Sequence, residues 1–238
     1  MKLAHTVWSW PEAVALTRPN RSGDPELEED VMFGGDPDLD TILGFYAEHL
    51  ASSPHNLVSR RARGELHQRH IPESLALADL VPAGVRRLLD LGTGGGLPGF
   101  VIAVRRPEIE VHLLDASTKK TTFLRDLARE LGVPVHVHTG RAEELAVGEL
   151  RRGFDVVTAR AVAALAELIP MAEPFLGEAG VLMAVKGARW EAEVQHAAAA
   201  RERWAMEVID HPEPGAPDPE PGSPPRVVTL RRRRIEAS

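Results

Sequence analysis

The sequence predicts an α/β protein: a doubly wound parallel sheet with helices on both faces, closed by a terminal antiparallel hairpin and preceded by an N-terminal helical cap. Three observations carry this. From Arg86 onward, short apolar runs alternate with segments of helical period, the pattern of a parallel sheet whose crossovers are helices. The first apolar run turns abruptly into a glycine-rich loop, Asp90-Leu-Gly-Thr-Gly-Gly-Gly-Leu-Pro-Gly99, with Pro98 opening the next helix. The last two apolar runs, about 203–210 and 226–232, are joined by a proline-dense stretch from His211 to Pro225 and no helix, so they form a hairpin on the sheet edge.

Residues 1–35 have no sustained period and are rich in proline, glycine and acids, so a partly disordered leader is expected there, with Trp8 and Trp10 as its docking groups. The cap, 36–84, opens on Asp36-Pro37, an N-cap followed by proline at the first helical position. Leu39, Ile42, Leu43, Tyr46 and Leu50 recur at helical spacing, predicting a helix over 37–50 that ends at Ser52-Ser53-Pro54. Residues 57–80 read as one or two further helices and hold Arg60, Arg61, Arg63 and Arg69 with Asn56, His67 and His70. Those histidines match no metal spacing, and ordinary hydrogen bonding is expected of them. The domain from 85 to 238 then runs strand 86–91, helix 98–106, strand 110–115, helix 118–131, strand 134–138, helix 141–147, strand 154–159, helix 161–173, strand 180–186 and helix 188–200.

The chain has 238 residues and a formal charge of −7. No run of about 20 apolar residues occurs, so no membrane span is expected. The segment Met1–Trp10 lacks the apolar core of a secretory signal. Cysteine is absent, which excludes disulfides, thiolate zinc sites and cysteine nucleophiles, and a cytoplasmic location is the expectation. The acidity is local. Asp24–Asp40 holds eight acids and no Lys or Arg, and removing those eight negative charges leaves the rest of the chain at +1. Basic pairs such as Arg105-Arg106, Lys119-Lys120 and Arg151-Arg152 keep RNA open as a partner.

In open α/β sheets ligands bind outside the carboxyl ends of the strands. Here those ends carry Asp90 with the glycine turn, Asp115, the run Arg141-Ala142-Glu143-Glu144, Arg160, and Lys186-Gly187. The turn matches two patterns: acidic-x-Gly-x-Gly-x-Gly, which suits S-adenosylmethionine, and Gly-x-Gly-x-x-Gly, which suits a dinucleotide. Asp115, 19 residues after Gly96, stands where an acid accepts hydrogen bonds from both ribose hydroxyls of an adenosine cofactor. Its alternative role is a helix cap, which Ser117 or Thr118 also supply. Lys119-Lys120 fall in the first turn of a helix, against the dipole, and Arg160 is expected in the same position at the start of the helix 161–173; such placement points to an anionic partner. Lys186 follows five apolar residues and is read as the cation for a phosphate or a cofactor carboxylate.

The hairpin finish favours the methyl donor, because dinucleotide dehydrogenases continue with parallel strands. Without cysteine the covalent route to C5-methylated pyrimidines is closed. The fourth strand ends in Phe154-Asp-Val-Val-Thr-Ala-Arg160, not in the Asn/Asp-Pro-Pro-aromatic turn that holds an exocyclic amine. No general base ends the strands near the expected methyl group, and a ring nitrogen such as guanine N7 needs none, since its lone pair is free at neutral pH.

The turn, together with Leu114-Asp115-Ala-Ser-x-Lys-Lys120, Gly140-Arg-Ala-Glu-Glu144, Phe154-Asp-x-Val-x-x-Arg-Ala-Val162, Lys186-Gly187 and the cap segments Asn56-Leu57 and Arg69-His70-Ile-Pro-Glu-Ser-Leu75, resembles the small-subunit ribosomal RNA guanine-N7 methyltransferase family, also named glucose-inhibited division protein B. The likeness covers roughly 39–235. Thr93, Gly95 and Leu97 stand where that family has Ser, Ala and Phe, and Glu73 stands where it has Asp. The resemblance implies a Rossmann-like class I methyltransferase fold, S-adenosylmethionine as donor, and a guanine of small-subunit RNA, free or in the assembling subunit, as acceptor, with no metal, no membrane and a monomeric chain. It assigns cofactor binding to Asp90, Gly92, Thr93, Gly94, Gly96, Leu97, Pro98, Asp115, Ala142, Glu143 and Arg160. Catalysis falls to Arg160 and Lys186, and RNA binding to Lys119, Lys120, Arg141 and Lys186. A related methyltransferase of a small molecule or protein, or a non-catalytic cofactor-binding paralogue, are the alternative expectations.

Overall fold

The computed structural model describes residues 38–53, 57–215, 217–220 and 223–233. The acidic leader, Trp8, Trp10, the pair Asp36-Pro37 and Asn56 lie outside them. Among the described residues, seven strands form one sheet: β1 (Arg87–Leu91), β2 (Glu110–Asp115), β3 (Val135–Thr139), β4 (Phe154–Arg160), β5 (Leu176–Val185), β6 (Met206–Asp210) and β7 (Val227–Arg232). Their order is β3-β2-β1-β4-β5-β7-β6. The first five are parallel; β7 runs antiparallel to both β5 and β6. The winding reverses between β1 and β4, which opens a crevice at their carboxyl ends.

Each face of the sheet has its own core. On one side α4 (Gly99–Arg105), α5 (Thr118–Glu130) and the cap helices α1 (Leu39–Ser52) and α3 (Ile71–Leu80) bury Ile42, Tyr46, Leu50, Leu77, Phe100, Val104 and Leu124 together. On the other, α7 (Leu165–Ala172), α8 (Trp190–His196) and α9 (Ala198–Arg203) cover Leu89, Phe154, Val157, Leu182 and Leu230. The cap is therefore part of the first core. Tyr46 stacks on Phe100 at 4.6 Å, and its hydroxyl donates to the Gly95 carbonyl at 2.9 Å, so α1 holds the glycine turn from above.

Several expected boundaries move, each for a local reason. Asp38 caps α1 by accepting from the Thr41 N–H, so the helix starts at Leu39 rather than 37. The stretch 57–80 breaks into α2 (Arg60–Gly64), a π turn over Leu66–His70 and α3. The expected helix 161–173 begins only at Leu165, because Ala161 sits in the left-handed region with φ 55°. Arg160 is thus the last residue of β4 and not the start of a helix. The helix over 141–147 shrinks to α6 (Ala142–Leu145). The helix 188–200 is two helices, and the strand expected from 203 starts at Met206 after a left-handed Ala205.

Packing where the turn enters α4 leaves no room for added atoms. A Cβ on Gly99 would overlap Leu113 Cδ2 and lie 2.6 Å from Asp90 Cβ, both fixed by the core. Gly99→Ala is expected to cost about 1–3 kcal/mol through overpacking, read by chemical denaturation.

At the start of β2 and β3, opposite the crevice, the His112 ring stacks on His136 at 4.6 Å and on His138 at 5.1 Å. Burial, opposed by a hydrogen bond to Glu110 and joined by the charges of its neighbours, lowers His112 to about 4 from 6.5. The unfolded chain takes this proton first as pH falls, so the contribution is complete above 6.5 and is lost on the way down to about 4. That is worth at most roughly 3 kcal/mol. His112→Asn is expected to flatten the fall of the denaturation midpoint across this window.

Candidate active site

The carboxyl ends of β1, β4 and β5 and the cap enclose a cleft of about 980 Å³. Its floor is the glycine turn, Gly92–Gly95 with Leu97. The turn is held from beneath by Asp90, which is fully buried. Asp90 Oδ2 accepts from Thr93 Oγ1 at 2.6 Å and from the Gly99 N–H at 3.0 Å, while Oδ1 accepts from Thr158 Oγ1 at 2.8 Å. Burial pushes this carboxyl above its ordinary range, and those three donors with the Arg160 charge work against that. Gly92, Gly94 and Gly96 all have positive φ, and at Gly96 (φ 101°) the backbone needs a residue without Cβ.

Asp115 ends β2 behind the turn. Its Oδ2 accepts from the Gly94 N–H at 2.9 Å and lies 3.5 Å from Lys120 Nζ, and its Oδ1 accepts from the Ser117 N–H at 2.8 Å. The acid therefore ties the turn to β2 and meets Lys120 across the dipole-disfavoured first turn of α5. Lys120 lines the cleft; Lys119 faces a separate groove between α1 and α5 with His49 and Phe123. Ala142 is buried, Glu143 and Arg141 are exposed, and all three stand outside the cleft wall.

At the end of β4, Arg160 points under the cap with a side chain 19% exposed. Its Nη1 donates to His70 Nδ1 at 3.3 Å and is 3.8 Å from Glu73 Oε2. Burial draws Arg160 below its usual value, and the neighbouring Tyr46, Glu73 and Asp90 oppose this; a guanidinium stays charged throughout. Lys186, after β5, is 6% exposed and donates to the Ala163 carbonyl at 2.9 Å and to Glu193 Oε2 at 2.8 Å. The sequence reading has this ammonium meeting a phosphate or a carboxylate of the cofactor. In the structure it is bound within the wall, because Glu193 of α8 and the loop after Ala161 fold over it.

The sequence assigns no site role to individual cap residues outside the resemblance, yet Arg61, Glu65, Arg69, His70 and Glu73 all line the cleft, as do Asp218 of the proline-rich segment and Arg226 just after it. Arg61 Nε donates to Glu65 at 2.8 Å and Arg69 Nε to Glu73 at 2.8 Å. For Glu73, burial raises the pKa, but the adjacent His70 and Arg69 outweigh it, leaving the carboxyl below its ordinary value. The signal was present: Leu66, Arg69, His70 and Glu73 share one face at helical spacing. Candidate metal-ligand atoms of Glu110, His112 and His136 come within 4.8 Å of one another at the far end of the sheet. There Arg87 Nη2, 3.4 Å from His112 Nε2, already supplies positive charge. No helix among the described residues is long and apolar enough to cross a membrane.

The fold and this geometry can be set beside known proteins. The family model described as rRNA small subunit methyltransferase G matches residues 43–213. The ribosomal RNA small subunit methyltransferase G of Sorangium cellulosum is 44% identical over 146 residues, 60% of this chain and 61% of that one. That of a Ruegeria species is 40% identical over 168 residues, 68% and 78%. Among solved structures, M. jannaschii TYW2 in complex with AdoMet superposes with a TM-score of 0.52 at 16% identity, over 68% of this chain and 74% of that one, a likeness of fold. A family model spanning cap, turn and sheet, with relatives at this identity, shows that the chain belongs to the rRNA small subunit methyltransferase G family.

Proposed function

We propose that this chain transfers the methyl group of S-adenosylmethionine to N7 of a guanine in small-subunit ribosomal RNA, with the donor on the glycine turn and the base beneath the cap. The observation that carries it is the single cleft that brings Gly92–Gly95, Arg160 and the arginine-bearing cap face together at the switch point of a methyltransferase sheet. The residues fit the donor. A volume of about 980 Å³ exceeds that of most small-ligand pockets, Asp115 keeps lone pairs beyond those used by Gly94 and Ser117, and Arg160 supplies a fixed cation.

When bound, the donor supplies an electrophilic methyl group on a sulfonium. The N7 lone pair forms the new N–C bond as the C–S bond breaks with its electron pair going to sulfur, and no proton has to leave. The protein's work is therefore positioning. The Asp90 network fixes the turn, Asp115 holds Gly94 and receives the ribose hydroxyls, and Lys186 with Glu193 keeps the β5 wall in place. The exposed arginines of α2 and the π turn, Arg61 and Arg69 above all, meet RNA phosphates near the mouth. Lys120 extends that positive rim, and Lys119 and Arg141 mark where the RNA path leaves the cleft.

Mass mapping of modified nucleosides in ribosomal RNA, with and without the gene, tests the reading: N7-methylguanosine at one small-subunit position is expected to vanish with it. If that nucleoside is unchanged while the purified protein methylates a small molecule or a protein, the acceptor assignment fails. Calorimetry is expected to show micromolar binding of S-adenosylmethionine and none of NAD. Asp115→Ala should weaken the former by about ten- to a hundredfold, since charge-assisted bonds worth about 1.5–3 kcal/mol are lost.

A further inference from the structure

Four carboxylates of the described residues line the cleft, and each is engaged with a cation of the wall. Glu193 is joined to Lys186 and Asp218 to Arg226, while Glu65 gives Oε1 to Arg61 and Oε2 to Arg69. Glu73 differs. Its Oε1 takes the Arg69 Nε hydrogen at 2.8 Å, but Oε2 lies 3.6 Å from His70 Nδ1 and 3.8 Å from Arg160 Nη1, longer than hydrogen bonds. The side chain is 13% exposed and belongs to the cleft wall. A half-satisfied carboxylate oxygen therefore stands beside a guanidinium, the two held apart at 3.8 Å.

An adjacent acceptor and donor at that spacing match an adjacent donor and acceptor on a ligand. Guanine offers this pair on one edge, N1–H next to O6, with the N2 amino group extending the donor side. We infer that Glu73 and Arg160 form the recognition site for the Watson–Crick edge of the acceptor guanine, Glu73 accepting from N1–H and N2–H and Arg160 donating to O6. This rests on the guanine-N7 reading above. O6 lies between N1 and N7 along the base, so a guanine bound in this way carries N7 on the far side of Arg160 from the cap, toward the strand ends and the glycine turn.

Charge gives the same pair a role in the reaction. Methylation moves positive charge from sulfur onto the ring and makes N1–H more acidic, so its bond to Glu73 strengthens as the transfer proceeds. Lys186 cannot oppose this, its charge being matched by Glu193. Adenine presents an acceptor at N1 and a donor at N6, the reverse pattern, and is turned away by both residues.

The test uses the full chain and small-subunit RNA assembled with guanosine or inosine at the methylated position. Inosine keeps N1–H, O6 and N7 and lacks the N2 amino group. For the unaltered enzyme, kcat/KM is expected to fall by about tenfold or more on inosine, as is RNA affinity measured with S-adenosylhomocysteine present. Glu73→Gln is expected to lose about ten- to a hundredfold on guanine, to treat guanine and inosine alike, and to bind S-adenosylmethionine as before. Glu73→Asp, which keeps the carboxylate, restores the discrimination and serves if the glutamine variant does not fold. Persistence of the guanine preference in a folded Glu73→Gln variant, or equal loss of donor affinity, overturns the inference while leaving the methyltransferase reading intact. No N7 transfer by the unaltered enzyme overturns both.

Discussion

The buried carboxylate of Asp90 is the interaction on which the site depends. One side chain with no solvent exposure joins three pieces of chain: Thr93 within the turn, the Gly99 N–H where α4 begins, and Thr158 on β4. Burial of such a group is unfavourable by itself, and it is sustained because both oxygens are fully used by donors. The result is a turn whose positive-φ glycines are fixed relative to β4, and hence relative to Arg160. Asp115 adds a second anchor from β2 through the Gly94 N–H. The two acids, one on β1 and bonded to β4, the other on neighbouring β2, thus set the floor of the cleft.

Above that floor the cap does more than shield the core. Tyr46 reaches from α1 to the Gly95 carbonyl, so cap and turn are joined directly. From the same cap the π turn and α3 present Arg69, His70 and Glu73 to Arg160. The charged residues of the wall are arranged as pairs, and the pairing divides their tasks. Lys186 and Glu193 neutralise each other inside the wall, whereas Glu73, bonded to Arg69 through one oxygen, leaves the other 3.8 Å from Arg160 at the cleft.

How much of this could be read from the residues alone differs by element. The alternation from Arg86 onward located the five parallel strands to within a few residues, because the inner strands, covered on both faces, are apolar along most of their length, while the edge strand β3 alternates valine with histidine. The glycine turn and the acids ending β1 and β2 were equally visible, since close backbone approach and ligand chemistry restrict residue type there. The helix after β4 was misplaced because a single left-handed residue, Ala161, follows a stretch whose composition is helical. Lys186 was placed facing a ligand because its partner, Glu193, lies on another element that the local pattern does not connect to it.

By itself, then, the sequence determined the sheet, its hairpin finish, the cofactor-type turn and the family, all of which follow from periodicity and from motifs a few residues long. Tertiary structure alone decided which charges are paired and which are open. Glu73 and Arg160 are 87 positions apart, and whether they meet depends on how α3 packs against α4. That packing is fixed by long-range burial around Tyr46, Phe100 and Leu77, which no local pattern encodes.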